Sequence, residues 1–372
     1  MGDALSYLLA GITSLTWQSV VMLAVGLLLV WLAVKKEYEP LLLLPIGAGA
    51  ILANIPSSPL VGEGGMLTTL YDMGVSNELF PLLIFVGIGA MTDFGPLLEN
   101  PKMVLLGAAG QFGIFLTLIL ALVLGFTQPQ AASIGIIGAI DGPTSIYVSN
   151  KLAPELLAPI TVAAYSYMSL VPIIMPPIMR ALTTPAERAI KMPYTSREIS
   201  QRTRILFPII VTLVVGVLVP FATPLIGMLM LGNLMRESKV VERLTGAASN
   251  ELTNIVTLFL GLAIGSTMVG EKFLNVATLL ILALGLVAFC LDTVMGVLFG
   301  KLMNVFSGGK FNPLIGAAGI SAFPMAARVV QREAQREHFD NFLLMHAMGA
   351  NAAGQIASVV AGGVLLALMG AA

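Results

Sequence analysis

Asp141 is the residue whose setting first asks for a chemical explanation. It stands in GIIGAIDGPTSIYVSNK (135–151), after ten uncharged residues, AASIGIIGAI, and directly before the helix breakers Gly142 and Pro143. A charge at the centre of a bilayer costs at least about 2.5–3.5 kcal/mol on insertion scales, so a carboxylate kept there faces a polar cavity or binds something. Backbone released from a helix survives at that depth only where it is buried in protein or lines water. Carboxylate, freed carbonyls and the hydroxyls of Thr144 and Ser145 would together form an oxygen-rich pocket, suited to a hard cation. Asp-Gly-Pro is also ordinary turn chemistry at a membrane surface, and spacing alone leaves both readings open.

A second interrupted stretch, SGGKFNPLIGAAGISAFPMAARVVQ (307–331), again joins a polar side chain, Asn312, to a proline. Ser321 lies among Gly and Ala, which allow close backbone approach. Arg328 follows seven residues later, on the same face as Ser321 if one helix runs through Pro324. It would hold a carboxylate by a fork of hydrogen bonds, or anchor the membrane edge together with Arg332 and Arg336. Tyr165 and Tyr167 put polar tips into an apolar helix and read either as site residues or as an aromatic belt. Asn351 and Gln355 share a helix face at i and i+4, which also serves helix packing. Asp292, in AFCLDTVMG, is a second acid in an apolar run; it lacks an adjacent breaker and ranks below Asp141. Asp93, Glu99 and Lys102 read as an interfacial loop.

The elements that position these residues belong to a membrane. Of 372 residues, 57% are hydrophobic and 10% charged, with a mean hydropathy of +0.93; soluble domains carry about 25% charged residues. A net charge of −1 gives nucleic-acid binding no electrostatic basis. The lone Cys290 and the two histidines, His338 and His346, build neither a disulfide nor a zinc site. No phosphate-binding loop or dinucleotide fingerprint is present. The N-terminus has Asp3 and no early basic residue, unlike a signal peptide.

Apolar segments are predicted near 15–34, 41–56, 79–95, 103–126, 131–150, 156–180, 205–234, 250–270, 273–300, 312–330 and 341–370, continuous rather than alternating. The expected fold is all-α and polytopic, with about nine to eleven transmembrane or re-entrant segments. NELFPLLIFVGIGAMTDF from Asn77 and NELTNIVTLFLGLAIGSTM from Asn250 read as an internal repeat, each leading on to an interrupted segment, IGAIDGPTS or IGAAGISAFP. Paired interrupted segments in two halves point to a transporter's central site. The expected organisation is an N-terminal segment with a first helix (1–40), a first repeat (41–180), a basic loop (181–204) and an inverted second repeat (205–372). Basic residues from Arg180 to Arg204 place that loop in the cytoplasm. Lys35 and Lys36 pull the other way, and the larger cluster decides.

KKEYEPLLLLPIGAGAILANIP, GAIDGPTSIYVSNKLAPELL, AAYSYMSLVPIIMPPIM and NPLIGAAGISAFPMAARV resemble the beta subunit of the sodium-pumping biotin-dependent decarboxylases, from about residue 17 onwards. The resemblance implies a bacterial or archaeal cell-membrane subunit that decarboxylates carboxybiotin, consumes a proton and exports Na+. It implies a biotin carrier protein that supplies the carboxybiotin, a carboxyltransferase alpha subunit, a small membrane anchor subunit (gamma or delta) and a homotrimer of beta. It assigns the essential aspartate to Asp141, a tyrosine to Tyr167, and further site residues to Asn312, Ser321, Arg328 and Asn351. Asp141, Asn312, Ser321, Tyr167 and Asn351 are then the expected Na+ ligands, and Arg328 the residue that orients carboxybiotin. The compact chain looks like the acyl-CoA branch. A Na+-coupled secondary transporter of organic anions is the alternative that the same features allow.

Overall fold

The computed structural model describes residue 11, residues 13–193 and residues 198–370. Asp3 and Arg197, both used in the sequence reading, lie outside the described residues. Every regular element among them is helical. The principal helices are α1 (Trp17–Lys36), α2 (Pro40–Asn54), α3 (Leu79–Met91), α4 (Met103–Ala109), α5 (Phe112–Val123), α6 (Gln128–Gly135) and α7 (Gly142–Leu152). They continue as α8 (Leu157–Leu182), α9 (Gln201–Leu218), α10 (Thr223–Ser238), α11 (Thr253–Thr267), α12 (Val276–Phe306), α13 (Met325–Glu337) and α14 (Leu344–Leu368). Short 3-10 stretches, Ile136–Ala139 and Pro313–Gly319, precede α7 and α13. Among the described residues, seven helical stretches are long and apolar enough to cross a membrane. An eighth span arises if Met66–Ser76 and Leu79–Met91, bent by 62°, count as one.

Both expected interruptions are present, and the chain breaks twice more. The run 103–126 divides at Gly110 and Gln111, because the second 3-10 stretch crosses there: a Cβ on Gly110 would lie 2.4 Å from the Gly319 carbonyl oxygen. The run 205–234 divides at Val219, before Pro220 and Pro224, whose rings deny the helix its backbone donors. The helix does not run through Pro324 either. α13 begins at Met325, so Ser321 and Arg328 belong to different elements rather than to one face.

Two helix pairs close in the same manner. α2 packs along α11, and α3 along α10. Asn54, ending α2, donates to the Met268 carbonyl just beyond α11 at 2.7 Å. Asn233 of α10 donates to the Thr92 carbonyl just beyond α3 at 3.0 Å. The motifs that begin at Asn77 and Asn250 supply α3 and α11, so similar residues occupy corresponding places in the two pairs.

The end of α8 and the basic segment after it are fastened to α13 and the residues just beyond it by three ion pairs. Arg180 grips Glu333 with two bonds of 2.7 Å, Arg188 meets Glu337 at 2.6 Å, and Lys191 meets Asp340. Asp93 stands between Arg204 and Arg236 at 3.5 and 3.6 Å, so it ties two parts of the chain together. Replacing Asn54 or Asn233 by Ala leaves a buried carbonyl unpaired. Each variant is expected to lose about 1–3 kcal/mol of stability, read as a lowered unfolding temperature in detergent; unchanged temperatures in both would show that the two closures add nothing.

Candidate functional site

Asp141 is the N-cap of α7, and the local sequence explains how it is placed. Pro143 suits the first turn of a helix, where its missing N–H costs nothing. Ile140, immediately before Asp141, has φ +53°. That left-handed conformation is a true outlier for a β-branched residue and costs about 1–3 kcal/mol, held by the surroundings. The bend turns the carboxyl group inward. Oδ1 accepts the Thr144 N–H at 3.1 Å, and Oδ2 accepts the Ser358 hydroxyl at 2.8 Å. The Ser145 hydroxyl donates to the Asp141 carbonyl at 2.8 Å.

The two interrupted segments meet here: the Ser321 N–H donates to the Ala139 carbonyl at 3.2 Å. Breaking the second segment releases the carbonyls of Gly319, Ile320 and Ser321, and each finds a side-chain amide. Gln111 donates to Gly319 at 3.2 Å, Asn351 to Ile320 at 2.6 Å, and Gln355 to Ser321. The Ser321 hydroxyl donates to the Gly354 carbonyl at 2.9 Å. One face of α14 therefore carries Asn351, Gly354, Gln355 and Ser358, and it serves both breaks.

This arrangement consumes donors and leaves acceptors. With their NH2 groups committed, the side-chain oxygens of Gln111, Asn351 and Gln355 have no hydrogen-bond partner, though buried. The Thr144 hydroxyl lies beside the Asp141 carboxyl without completing a hydrogen bond. The Tyr165 hydroxyl is also buried and unpartnered. It belongs next to Asp141, since a Cβ on Gly142 would fall 2.1 Å from the Tyr165 ring and 2.5 Å from its hydroxyl. An unmet acceptor in a buried place costs about 1–3 kcal/mol; oxygens of this kind, gathered at the junction of the two breaks, are the type of group that a small cation takes as ligands.

The sequence-derived residues divide. Asp141, Ser321 and Asn351 come together. Asn312 is engaged elsewhere: it caps the 3-10 stretch by accepting from the Leu314 N–H at 3.0 Å and donates to the carbonyls of Arg188 and Ile190 at 2.9 and 2.8 Å. The seven residues Pro313–Gly319, roughly 14 Å of 3-10 rise, lie between it and the Ser321 turn. Tyr167 donates to the Leu282 carbonyl of α12 and packs on Gly285 beside Ile137. The tyrosine hydroxyl at Asp141 is that of Tyr165, two residues earlier and on the nearly opposite side of α8. Arg328 lies in the first turn of α13 and is exposed.

Ser358 was not found from sequence. Ser in a small-residue helix, ASVVAGG, reads as packing, although it stands seven residues after Asn351 on the same face. Gln111 was also missed, because nothing local marks the break beside it.

Comparison with known proteins identifies the family of the chain. The family described as the Na+-transporting oxaloacetate decarboxylase beta subunit matches residues 18–369. The methylmalonyl-CoA decarboxylase beta subunit of Veillonella parvula is 54% identical, over 97% of this chain and 95% of its own. The glutaconyl-CoA decarboxylase beta subunit of Acidaminococcus fermentans is 52% identical, over 97% and 96%. The oxaloacetate decarboxylase beta chain of Klebsiella pneumoniae is 50% identical, over 93% and 94%. These relatives are decarboxylase subunits, which favours the decarboxylase reading over a secondary transporter of organic anions. Matched over nearly its whole length by the family model and by relatives of about half identical residues, the chain belongs to the beta-subunit family of the Na+-transporting decarboxylases.

Proposed function

We propose that the junction around Asp141 is where this subunit couples decarboxylation of carboxybiotin to Na+ export. The observation that carries the proposal is that the two breaks meet at Asp141: the unpartnered hydroxyls of Thr144 and Tyr165 adjoin it, and Asn351 and Gln355, whose side-chain oxygens are also unpartnered, bind the carbonyls of the opposing turn. Na+ is the transported substrate, and Ser321 supplies a further hydroxyl. Asn312 supports the site by pinning the 188–190 segment to the start of the second 3-10 stretch, and Tyr167 supports it by fixing α8 to α12.

Carboxybiotin would arrive on a separate biotin carrier protein, charged by a carboxyltransferase alpha subunit, with a small membrane anchor subunit and three beta chains in the assembly. Its approach is proposed along α13. Arg328, Arg332 and Arg336 are exposed at i, i+4 and i+8, a stripe of about 12 Å at 1.5 Å per residue. Arg336 shares Glu333 with Arg180, whereas Arg328 and Arg332 have no ion pair among the described residues. A cavity of about 410 Å³ lies alongside, between Pro172, Pro176 and Arg180 of α8 and Val329 and Arg332 of α13; small-ligand sites run from about 300 to 1,000 Å³. Arg328 orients the carboxylate by paired hydrogen bonds. Loss of CO2 leaves a ureido nitrogen that takes up one proton. A carboxyl group that holds either H+ or Na+ supplies the exchange, and Asp141 is that group.

We further propose that the two halves are inverted repeats of a bacterial or archaeal cell-membrane protein, in line with the matching closures at Asn54 and Asn233. The acid is assigned to the acyl-CoA branch: the Veillonella and Acidaminococcus relatives align over 360 and 361 residues, the Klebsiella relative over 407.

The test uses the assembled complex in sealed vesicles with carboxylated carrier, following CO2 release and Na+ movement together. Asp141→Asn is expected to abolish both; Na+ transport persisting at full rate would remove Asp141 from the mechanism. Tyr165→Phe is expected to raise the Na+ concentration for half-maximal turnover about tenfold, the equivalent of ~1.4 kcal/mol. An unchanged Na+ dependence would show that this hydroxyl does not meet the ion. Arg328→Met should raise the half-saturating concentration of carboxylated carrier by about 10- to 100-fold, as expected for one lost charge-assisted contact, with the Na+ dependence unmoved.

A further inference from the structure

Asp292 is the other acid within the spans, and the mechanism above does not use it. It lies midway along α12 with 0% of its surface exposed. Its two carboxyl oxygens have opposite surroundings. Oδ1 accepts the Gly113 N–H, with the Ile114 N–H beside it, at the first turn of α5. Oδ2 has no hydrogen-bond partner. It rests against the first 3-10 stretch, where a Cβ on Gly138 would come within 2.6 Å of it. A Cβ on Gly113 would come equally close, 2.6 Å, to Oδ1. The carboxyl group thus fills a slot that two glycines leave open.

No charge answers it. The elements packed on α12 are α4, α5, α6, α8 and the two 3-10 stretches. Of these, α4, α5, α6 and both 3-10 stretches carry no titratable side chain. α8 offers Tyr165, which sits at Gly142, Tyr167, which is bonded to Leu282, and Arg180, which is bound to Glu333. On α12 itself the titratable groups are Cys290 and Lys301, and Lys301 pairs with Glu187 and the Leu182 carbonyl. Thr117, one turn beyond Gly113 on the buried face of α5, adds an unpartnered hydroxyl.

A carboxylate ion accepts at both oxygens, whereas a neutral carboxylic acid presents one acceptor and one O–H donor. The environment of Asp292 disfavours the ion: donors gather at one oxygen, and the other, with none among the described residues, would carry unsolvated charge, whereas in the acid it is neutral. It does not match a metal site, because N–H groups at the positive end of a helix are turned towards the group. That single helix end offsets less than the cost of a bare charge at membrane depth.

We propose that Asp292 is a proton-binding site of the pump, separate from the cation site at Asp141, which clasps α5 and α12 to the turn that leads into Asp141. Gly138 is three residues before Asp141. While the proton is bound, the carboxyl group seats that turn; without it, a bare charge faces the turn and the contact opens. The assignment of a proton to Asp292 does not depend on Na+ binding at Asp141.

Infrared difference spectroscopy of the assembled complex in membranes at neutral pH reads the assignment directly. The spectrum of the intact protein minus that of Asp292→Asn isolates this one group, and Asn keeps an acceptor for the Gly113 N–H. The expected result is a C=O band of a protonated carboxyl group, lost in the variant and unchanged when Na+ is added. A carboxylate band in its place, or a C=O band that vanishes with Na+, overturns the proposal. Should Asp292→Asn not assemble, the intact complex is treated with a hydrophobic carbodiimide, which reacts with protonated carboxyl groups. Mass spectrometry should then find Asp292 modified to the same extent with and without Na+; an unmodified or Na+-protected Asp292 overturns the proposal. Repeating either measurement in Asp141→Asn separates the two sites, since the Asp292 signal is expected to persist there.

Discussion

Broken backbone inside a membrane has to find hydrogen-bond partners within the protein, and the rest of this structure depends on how that requirement is met. Three carbonyls released at 319–321 are answered by Gln111, Asn351 and Gln355. Each amide spends its donors on the break and keeps its oxygen. The repair of the backbone therefore leaves three buried amide oxygens unpartnered at the junction that leads to Asp141. In the proposed site the same side chains would meet both the structural need and the ion, because an amide has one donor group and one acceptor.

The packing follows from this. Side-chain amides reach the break only if α14 lies close to both 3-10 stretches, which its run of Gly, Ala and Ser permits. The same close approach interrupts the helix at Gly110, where the backbone of the second segment crosses. Ile140 is held in a left-handed conformation, and its strain is offset by the contacts that fix Asp141. The ion pairs of Arg180, Arg188 and Lys191 tie the end of α8 and the segment after it to α13 and Asp340, which keeps α13 alongside α8; Arg328 and Arg332, exposed on α13, have no ion pair among the described residues.

Asp141 and Asp292 show how environment divides two acids of one type. Hydroxyl and N–H donors from two elements meet Asp141, among oxygens that still seek a partner. Asp292 meets N–H donors at a single oxygen, and the other, without a hydrogen-bond partner among the described residues, rests against Gly138. The first setting suits a cation surrounded by oxygens; the second suits a proton.

By itself the sequence determined the membrane class and the two interrupted segments, and it singled out Asp141 as the acid beside the first break, because each rests on local chemistry: apolar run length, helix breakers and the cost of a lone charge. It also singled out Ser321, Asn351 and Gln355 through small-residue context and i, i+4 spacing. It did not determine which tyrosine meets Asp141. Tyr165 and Tyr167 differ by two residues, which on a helix is a turn of about 200°, and only the neighbours of α8 decide which flank faces the carboxylate. Ser358, the break at Gly110 and the engagement of Asn312 with the 188–190 segment were likewise decided by tertiary structure. Each is a contact between residues more than a hundred positions apart in the chain, and no local pattern encodes which distant backbone will need a partner.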